Sequence, residues 1–390
     1  MKSILVIKEE LSEGWKIVKF KDIFEIRKGK KVNISENPTE NSIPYIVIEN
    51  LRGEPIKKVS DDKKGLLCCS DDILIVWDGA NCGTVGSGLD GFVGSTIARL
   101  SLIDDSIDKD YVLIFLKSRF KLFNTYTTGA TIPHLDKNFL INFKIPVPPL
   151  ETQKKIVEIL EKAEELKEWR AEADELADEL FNSFFLEMFG DPITNEKEFK
   201  TDLLKNLCHL KSGGTPSRKN KEYFEGDVPW ITTVALGPKF IDSKDAAEYI
   251  TEYAIEKSAT KLIPKDSIMV GVRVGVGKAS INRCEMCTNQ DIMSLVNIDK
   301  KLNKDFLLQI LRYYQKFFES QVRGATIKGI TSSTLKELNI ILPPIELQNQ
   351  FAEIVKQVET LKKHQKQSKQ EIDNLFNALM QKAFKGELTC

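Results

Sequence analysis

Gly129-Ala130-Thr131-Ile132 is written again as Gly324-Ala325-Thr326-Ile327, 195 residues further on, and 195 is half of the 390-residue chain. Outward from this pair the two halves align without a gap, back to Lys109-Asp110-Tyr111 against Lys304-Asp305-Phe306 and on to Phe189 against Phe384. The matches include Pro148-Pro149 with Pro343-Pro344, Gln153 with Gln348, and Leu180-Phe181-Asn182 with Leu375-Phe376-Asn377. Two copies are too few for a solenoid, whose stacked repeats need about three or more to bury a core. A duplicated unit predicts pseudo-twofold symmetry, which suits a partner with the same symmetry.

Each copy ends in one long helical pattern. The first starts after Pro148-Pro149-Leu150-Glu151, where the prolines stop the preceding strand and lead rigidly into a first turn. Apolar residues then recur at Ile156, Ile159/Leu160, Ala163, Leu166, Ala173, Leu176/Ala177, Leu180 and Phe184. This is the spacing of a helical stripe. The second copy repeats it with Phe351, Ile354/Val355, Val358, Leu361, Ile372, Leu375 and Leu379. A helix of about 38 residues is ~57 Å long, more than a small domain can cover, and such helices usually pair. Residues 151–185 carry eleven acids against five bases, and 346–385 five acids against seven bases, so the equivalent segments have drifted to −6 and +2. Opposite charge favours pairing them with each other, and the pseudo-twofold makes the pair antiparallel. Arg170, Gln365 and Ser368 interrupt the stripes near their middles, either as a polar layer that fixes register or as a wetter stretch.

The globular parts carry strand-like runs, Ile43–Ile48, Ile73–Val76 and Ile145–Val147, echoed by Val228–Thr232, Ile268–Val272 and Ile340–Leu342. Here the offset drifts. It is 184 from Lys21 to Lys205, 185 from Pro44 to Pro229 and 195 from Ile73 to Ile268, so ten residues enter the second copy between the last two landmarks. The expected fold is mixed α/β, with domains over 1–150 and 190–345 in tandem pseudo-twofold repeat, separated by long antiparallel helices over 151–189 and 346–390 that form a coiled coil.

A composition of 42% apolar and 29% charged residues is that of an ordinary soluble globular chain. The N-terminal apolar run is too short for a secretory signal and no stretch approaches a membrane span, which points to a cytoplasmic protein. Seven cysteines at irregular spacings do not make a disulfide framework. Cys284-Glu285-Met286-Cys287 has metal-like spacing but lacks a second ligand pair nearby, so the cysteines read as plain thiols. A net charge of −1 argues against coating nucleic acid by electrostatics alone.

Catalytic constellations are missing from the pattern. Gly271-Val272-Arg273-Val274-Gly275-Val276-Gly277-Lys278 breaks the phosphate-loop spacing at Val272 and Ala279, and the three histidines, His134, His209 and His364, are scattered. The double prolines lack the polar and aromatic neighbours of an amino-methylating loop. What remains are paired basic glycine loops: Lys211-Ser212-Gly213-Gly214-Thr215-Pro216-Ser217-Arg218-Lys219, with Arg27-Lys28-Gly29-Lys30-Lys31 as its equivalent. Backbone amides freed by glycine, with hydroxyls and cations beside them, suit phosphate oxygens, although either loop alone also reads as a solvated turn. The candidates are therefore Lys28, Lys30, Lys31, Lys211, Ser212, Thr215, Ser217, Arg218 and Lys219. Asp78 and Asn81 in the first copy, and Arg273, Asn289 and Gln290 in the second, offer base-edge chemistry.

These features in this order resemble the specificity subunits of type I restriction-modification systems. The resemblance is carried by Ser212-Gly213-Gly214-Thr215-Pro216-Ser217, by the turns Asp71-Asp72-Ile73-Leu74 and Asp266-Ser267-Ile268-Met269, and by Arg273-Val274-Gly275-Val276-Gly277. The two Gly-Ala-Thr segments and the paired Pro-Pro-Leu/Ile-Glu-x-Gln helix starts complete it, over essentially the whole chain. It implies two target-recognition domains that each read half of a split double-stranded DNA site, and adds Thr131, His134, Thr326 and Lys328 to the candidate contacts. It also implies no active site here, two methyltransferase subunits docked on the helices, and restriction subunits in the full complex. S-adenosylmethionine, ATP and magnesium would belong to those partners and no cofactor to this chain. The first copy departs from the pattern, with Lys28-Gly29-Lys30-Lys31 where the second has Gly-Gly-Thr-Pro-Ser. The competing reading is a duplicated coiled-coil scaffold whose domains bind protein or small ligands.

Overall fold

The computed structural model describes residues 13–129, 132–322 and 330–388, and in it the chain forms two compact units. The first comprises residues 1–171 and 366–390, the second residues 172–365. Two long helices, Leu150–Phe189 and Ile345–Lys385, cross from one unit to the other without a break, so each unit holds a domain and half of each helix.

In the first unit the buried apolar run Ile73–Val76 becomes an inner strand of an antiparallel sheet, in the order Phe24–Lys28, Ile97–Leu102, Ile73–Val76, Val85–Gly86. Both faces of that strand are covered, which is why its sequence does not alternate. A second sheet orders Val59–Ser60, Ile43–Ile46, Gly91–Val93 and Leu67–Cys68. The second unit repeats the first sheet as His209–Ser212, Ile292–Val296, Ile268–Gly271 and Ala279–Asn282, then adds Phe240–Ile241 at the edge. A further sheet there runs Glu248–Ile250, Val228–Ile231, Cys287–Thr288.

Strand register locates the ten extra residues. Pro44 pairs with Val59 and Pro229 with Tyr249, so the offset has risen from 185 to 190 across this hairpin and reaches 195 by Ile268. Half of the insertion therefore lies between Pro229 and Tyr249, the segment that contributes the added edge strand.

The cores close crosswise. Phe189, at the end of the first long helix, packs in the second unit on Phe306 and Phe351, with ring centres 4.7 and 5.5 Å away. Phe384, its repeat equivalent, packs in the first unit on Tyr111 and Phe115, at 5.7 and 4.9 Å. Within the second unit Gln365 donates to the Ala173 carbonyl and Phe181 meets Phe351, so the two helix segments there run in opposite directions. Within the first, Lys167 lies over the Phe376 ring while Ile156 and Leu160 share a core with Ala383 and Phe384, which is again antiparallel. The polar interruption at Gln365 is thus a buried hydrogen-bonded layer.

Each long helix is pinned to its preceding domain by a glutamine. Gln153 is fully buried; its Oε1 accepts from the Asp108 amide, and its Nε2 donates to the Ser106 and Pro148 carbonyls. Gln348 does the same with Asn303, Lys301 and Pro343. Methionine at either position fills the space but strands one amide and two carbonyls in the interior. Gln348→Met is expected to cost about 2 kcal/mol, the scale of unsatisfied buried groups, read as a lower urea midpoint.

Candidate nucleic-acid interface

The two domains share a frame bond for bond around their candidate residues. The Trp77 amide donates to Thr96 O at 2.8 Å and the Val272 amide to Asp291 O at 2.8 Å; Leu135 N reaches Trp77 O, and Ile330 N reaches Val272 O. Every atom pair is related by the offset of 195. Asp78 and Arg273, one residue after these anchors, therefore occupy the same place on the frame with opposite charge.

In the first unit Asp78 is the centre of the cluster. Its carboxylate, 14% exposed, takes the Lys28 ammonium at 2.6 Å and His134 Nδ1 at 2.7 Å. Both partners keep about half of their side-chain surface in solvent, so the arrangement holds a cation and an imidazole outward on a buried anchor. Asn81 accepts from Arg52 at 2.6 Å, and the Asn124 amide braces the same loop at the Ala80 carbonyl. Lys30 and Lys31 are exposed past the strand end. Thr131 lies outside the described residues.

In the second unit Arg273 stands 3.6 Å from Asp291, whose other oxygen accepts from Asn289 at 3.2 Å. Asn289 is buried and spent on Asp291, so it shapes the loop, while exposed Arg273 remains the group that can reach a ligand. The Thr215 hydroxyl bonds the Gln290 side chain, joining two exposed candidates from distant sequence. Arg218 forms a two-bond fork with Glu248, each bond 2.6 Å, above the rings of Phe224 and Trp230. Glu248 holds that guanidinium's pKa above its ordinary value. Ser217 and Lys219 are exposed on the same loop, Ser212 bonds its neighbour's carbonyl, and Lys211 is half-buried in the strand. Thr326 and Lys328 lie outside the described residues.

The glycine loops work differently from the expectation that their amides are free for phosphate. Gly213 N donates to Ile292 O, Gly214 N to Thr288 O, and Gly29 N to Ile97 O. These three glycine amides are used inside the domains. The Gly271–Lys278 segment is a hairpin tip packed on Gln315, and not a phosphate cradle. Sequence reading missed Arg52, Glu248 and Asp291, the partners that fix the candidate side chains; only Asp291, next to Asn289-Gln290, offered a signal.

Burial pushes the Cys208 thiol up to about 12 and Cys287 up to about 11, which disfavours their thiolates. Among the described residues no group of three or more His, Cys, Asp or Glu side chains could hold a metal, and no helix is long and apolar enough to cross a membrane.

The family model of the type I restriction modification DNA specificity domain matches residues 12–173 and, a second time, residues 196–374. The chain belongs to this family. It is similar to the type I restriction enzyme MjaVIII specificity subunit of Methanocaldococcus jannaschii, 26% identical over 96% of this chain and 93% of the relative. The EcoR124I/EcoR124II specificity subunit of Escherichia coli is 30% identical over 56% of each chain. A solved structure describing complex assembly and conformational transition of a type I system shares the fold over 98% of this chain, with TM-score 0.69 at 20% identity. The S subunit from M. genitalium matches with TM-score 0.55 at 17% identity over 97% of this chain. As a specificity subunit, the chain serves DNA target recognition in a type I restriction-modification system and is not its catalyst.

Proposed function

We propose that the chain reads the two halves of a split double-stranded DNA site, one with residues 1–150 and the other with residues 190–345. The observation that carries this is the inverted charge on a shared frame, Asp78 with Lys28 and His134 against Arg273 with Asp291. One scaffold with different side chains at the same place is what two unlike half-sites require. Lys28, Lys30, Lys31, His134, Arg218, Lys219 and Arg273 supply the exposed cations and imidazole, with Thr215, Ser217 and Gln290 as neutral partners. The chain is nearly neutral overall, so phosphate contacts must come largely from other subunits. The experiment is methylation mapping in a cytosol carrying the whole system, with DNA titration of the chain alone and with its methyltransferase subunits. A two-part motif and tight, salt-dependent binding only in the complex are expected. Absent or salt-insensitive binding in both titrations would return the chain to a scaffold role.

The helices Leu150–Phe189 and Ile345–Lys385 pair as an antiparallel coiled coil and carry two methyltransferase subunits, with restriction subunits joining in the full complex. Leu166 and Leu375 in the first unit, and Leu361 and Leu180 in the second, are between 42% and 57% exposed. They are repeat equivalents, so each unit offers the same two leucines on paired helix segments. Twin exposed apolar sites fit two copies of one partner. S-adenosylmethionine, ATP and magnesium act in those partners. Leu166→Asp with Leu375→Asp is expected to leave one methyltransferase subunit per chain where the parent holds two, as read by native mass spectrometry. Two bound copies on the double variant would place the docking surface elsewhere.

A further inference from the structure

We infer that the lengthened segment 229–249 of the second domain is a strap, in which Lys239 fastens that domain to the second long helix and so restricts the spacing at which its half-site is accepted. The inference rests on the split-site reading above and concerns a segment whose counterpart in the first copy, 44–59, is shorter and adds no edge strand. Lys239 precedes the added edge strand Phe240–Ile241, which pairs with Ala279–Asn282. Its ammonium lies 2.9 Å from Asp305 and 3.0 Å from Glu359, with only 12% of the side chain exposed. Asp305 belongs to the first turn of the domain's helix Lys304–Val322 and Glu359 to the second long helix, so one cation ties the sheet edge, the domain helix and the long helix together. Arg312 secures the approach to the strap by donating to the Gly237 and Ala279 carbonyls at 2.7 and 3.1 Å.

Phe240 packs on the apolar core of the second unit, and beside it a cleft of about 280 Å³ opens among Pro238, Arg312, Val355 and Glu359, where Lys239 supplies the ionic tie. The first copy provides the internal comparison. Its equivalents of the two acids are Asp110 and Glu164, which pair with their own neighbours Lys109 at 4.0 Å and Lys167 at 3.5 Å. There the sheet ends at Val85–Gly86 without an added strand. The acids are thus common to both copies, and the lysine that recruits them is confined to the second. Removing it leaves two partly buried carboxylates without their shared counter-charge, which loosens the joint where the strap was made.

Lys239 is a positioning residue, and its test reads spacing. Complexes assembled with methyltransferase subunits and carrying Lys239 (parent), Lys239→Met or Lys239→Arg are mapped for methylated sites of every spacer length. Lys239→Met is expected to keep the base identities of both half-sites while methylating sites one base pair too long or too short about tenfold more readily, relative to the correct spacer, than the parent. Lys239→Arg is expected to restore the parent's discrimination. Should Lys239→Met fail to assemble, Glu359→Gln leaves the lysine on Asp305 and releases only the long helix, with the same expected relaxation. Spacer discrimination as strict as the parent's in the assembled variant, or altered bases in either half-site, would overturn the strap. A parent map without a two-part motif would instead sink the split-site reading, and the strap with it.

Discussion

Gly213→Ala is expected to destabilise the second unit by about 3 kcal/mol, the upper range for forcing atoms into a packed interior, and Gly29→Ala the first unit by a similar amount. A Cβ at position 213 would stand 2.1 Å from the Asn289 carbonyl oxygen and 2.5 Å from that of Thr288; at position 29 it would stand 2.2 Å from Gly94 O and 2.4 Å from Val93 O. These obstacles are backbone atoms, which cannot turn away as the end of a flexible side chain can. The obstacles are themselves repeat equivalents, 94 matching 289. Urea unfolding of the full chain checks this, with Lys219→Ala, an exposed change on the same loop, expected within about 0.5 kcal/mol of the parent. If Gly213→Ala melted with the parent, the close approach would be yielding and the loop free to adapt to DNA by backbone movement.

That result bears on why the sequence was only half readable at these loops. Basic glycine segments at equivalent places correctly mark a shared structural element. What pattern alone could not separate is a glycine that frees its amide for a ligand from one that lets two backbones touch. The choice depends on what lies across from residue 213, and Asn289 is 76 positions away in sequence. The same limit hid Glu248, because its role exists only once Arg218 has been placed beside it.

The constant offset made the frame legible. Buried groups such as Gln153 and Gln348 have the same three partners in each copy, so their residues and spacing persist together. The lengthened segment 229–249 has no residue-for-residue twin, and neither its added strand nor the role of Lys239 was visible beforehand. The helical stripes were also legible, through their apolar period. Which core each stripe's end enters was not, since Phe189 and Phe384 occupy equivalent positions and yet close different domains.

Matched insertion of four residues after Ala171 and after Gln365 is expected to lengthen the spacer of the recognised site while leaving both half-sites as they were. The positions are the boundaries at which each long helix passes from one unit to the other, and both helices must grow because their segments pack side by side within each unit. Four residues add ~6 Å and turn the helix by ~400°, a net ~40°, at ~1.5 Å and ~100° per residue. One DNA base-pair step advances ~3.4 Å and turns ~34°, since a helical turn of ~34–36 Å holds about 10–10.5 base pairs. The rotation therefore matches one base pair and the rise allows two, so the longer spacer should grow by one, with two as its upper bound. The parent site should be lost almost completely, because a reader displaced by a base pair must break its contacts in one half to keep those in the other, at about 1–3 kcal/mol for each mismatched pair. Methylation mapping of the inserted chain in its complex reads this directly. Altered bases in either half-site with the spacer unchanged would mean that the helices do not measure distance and that each domain finds its half-site independently.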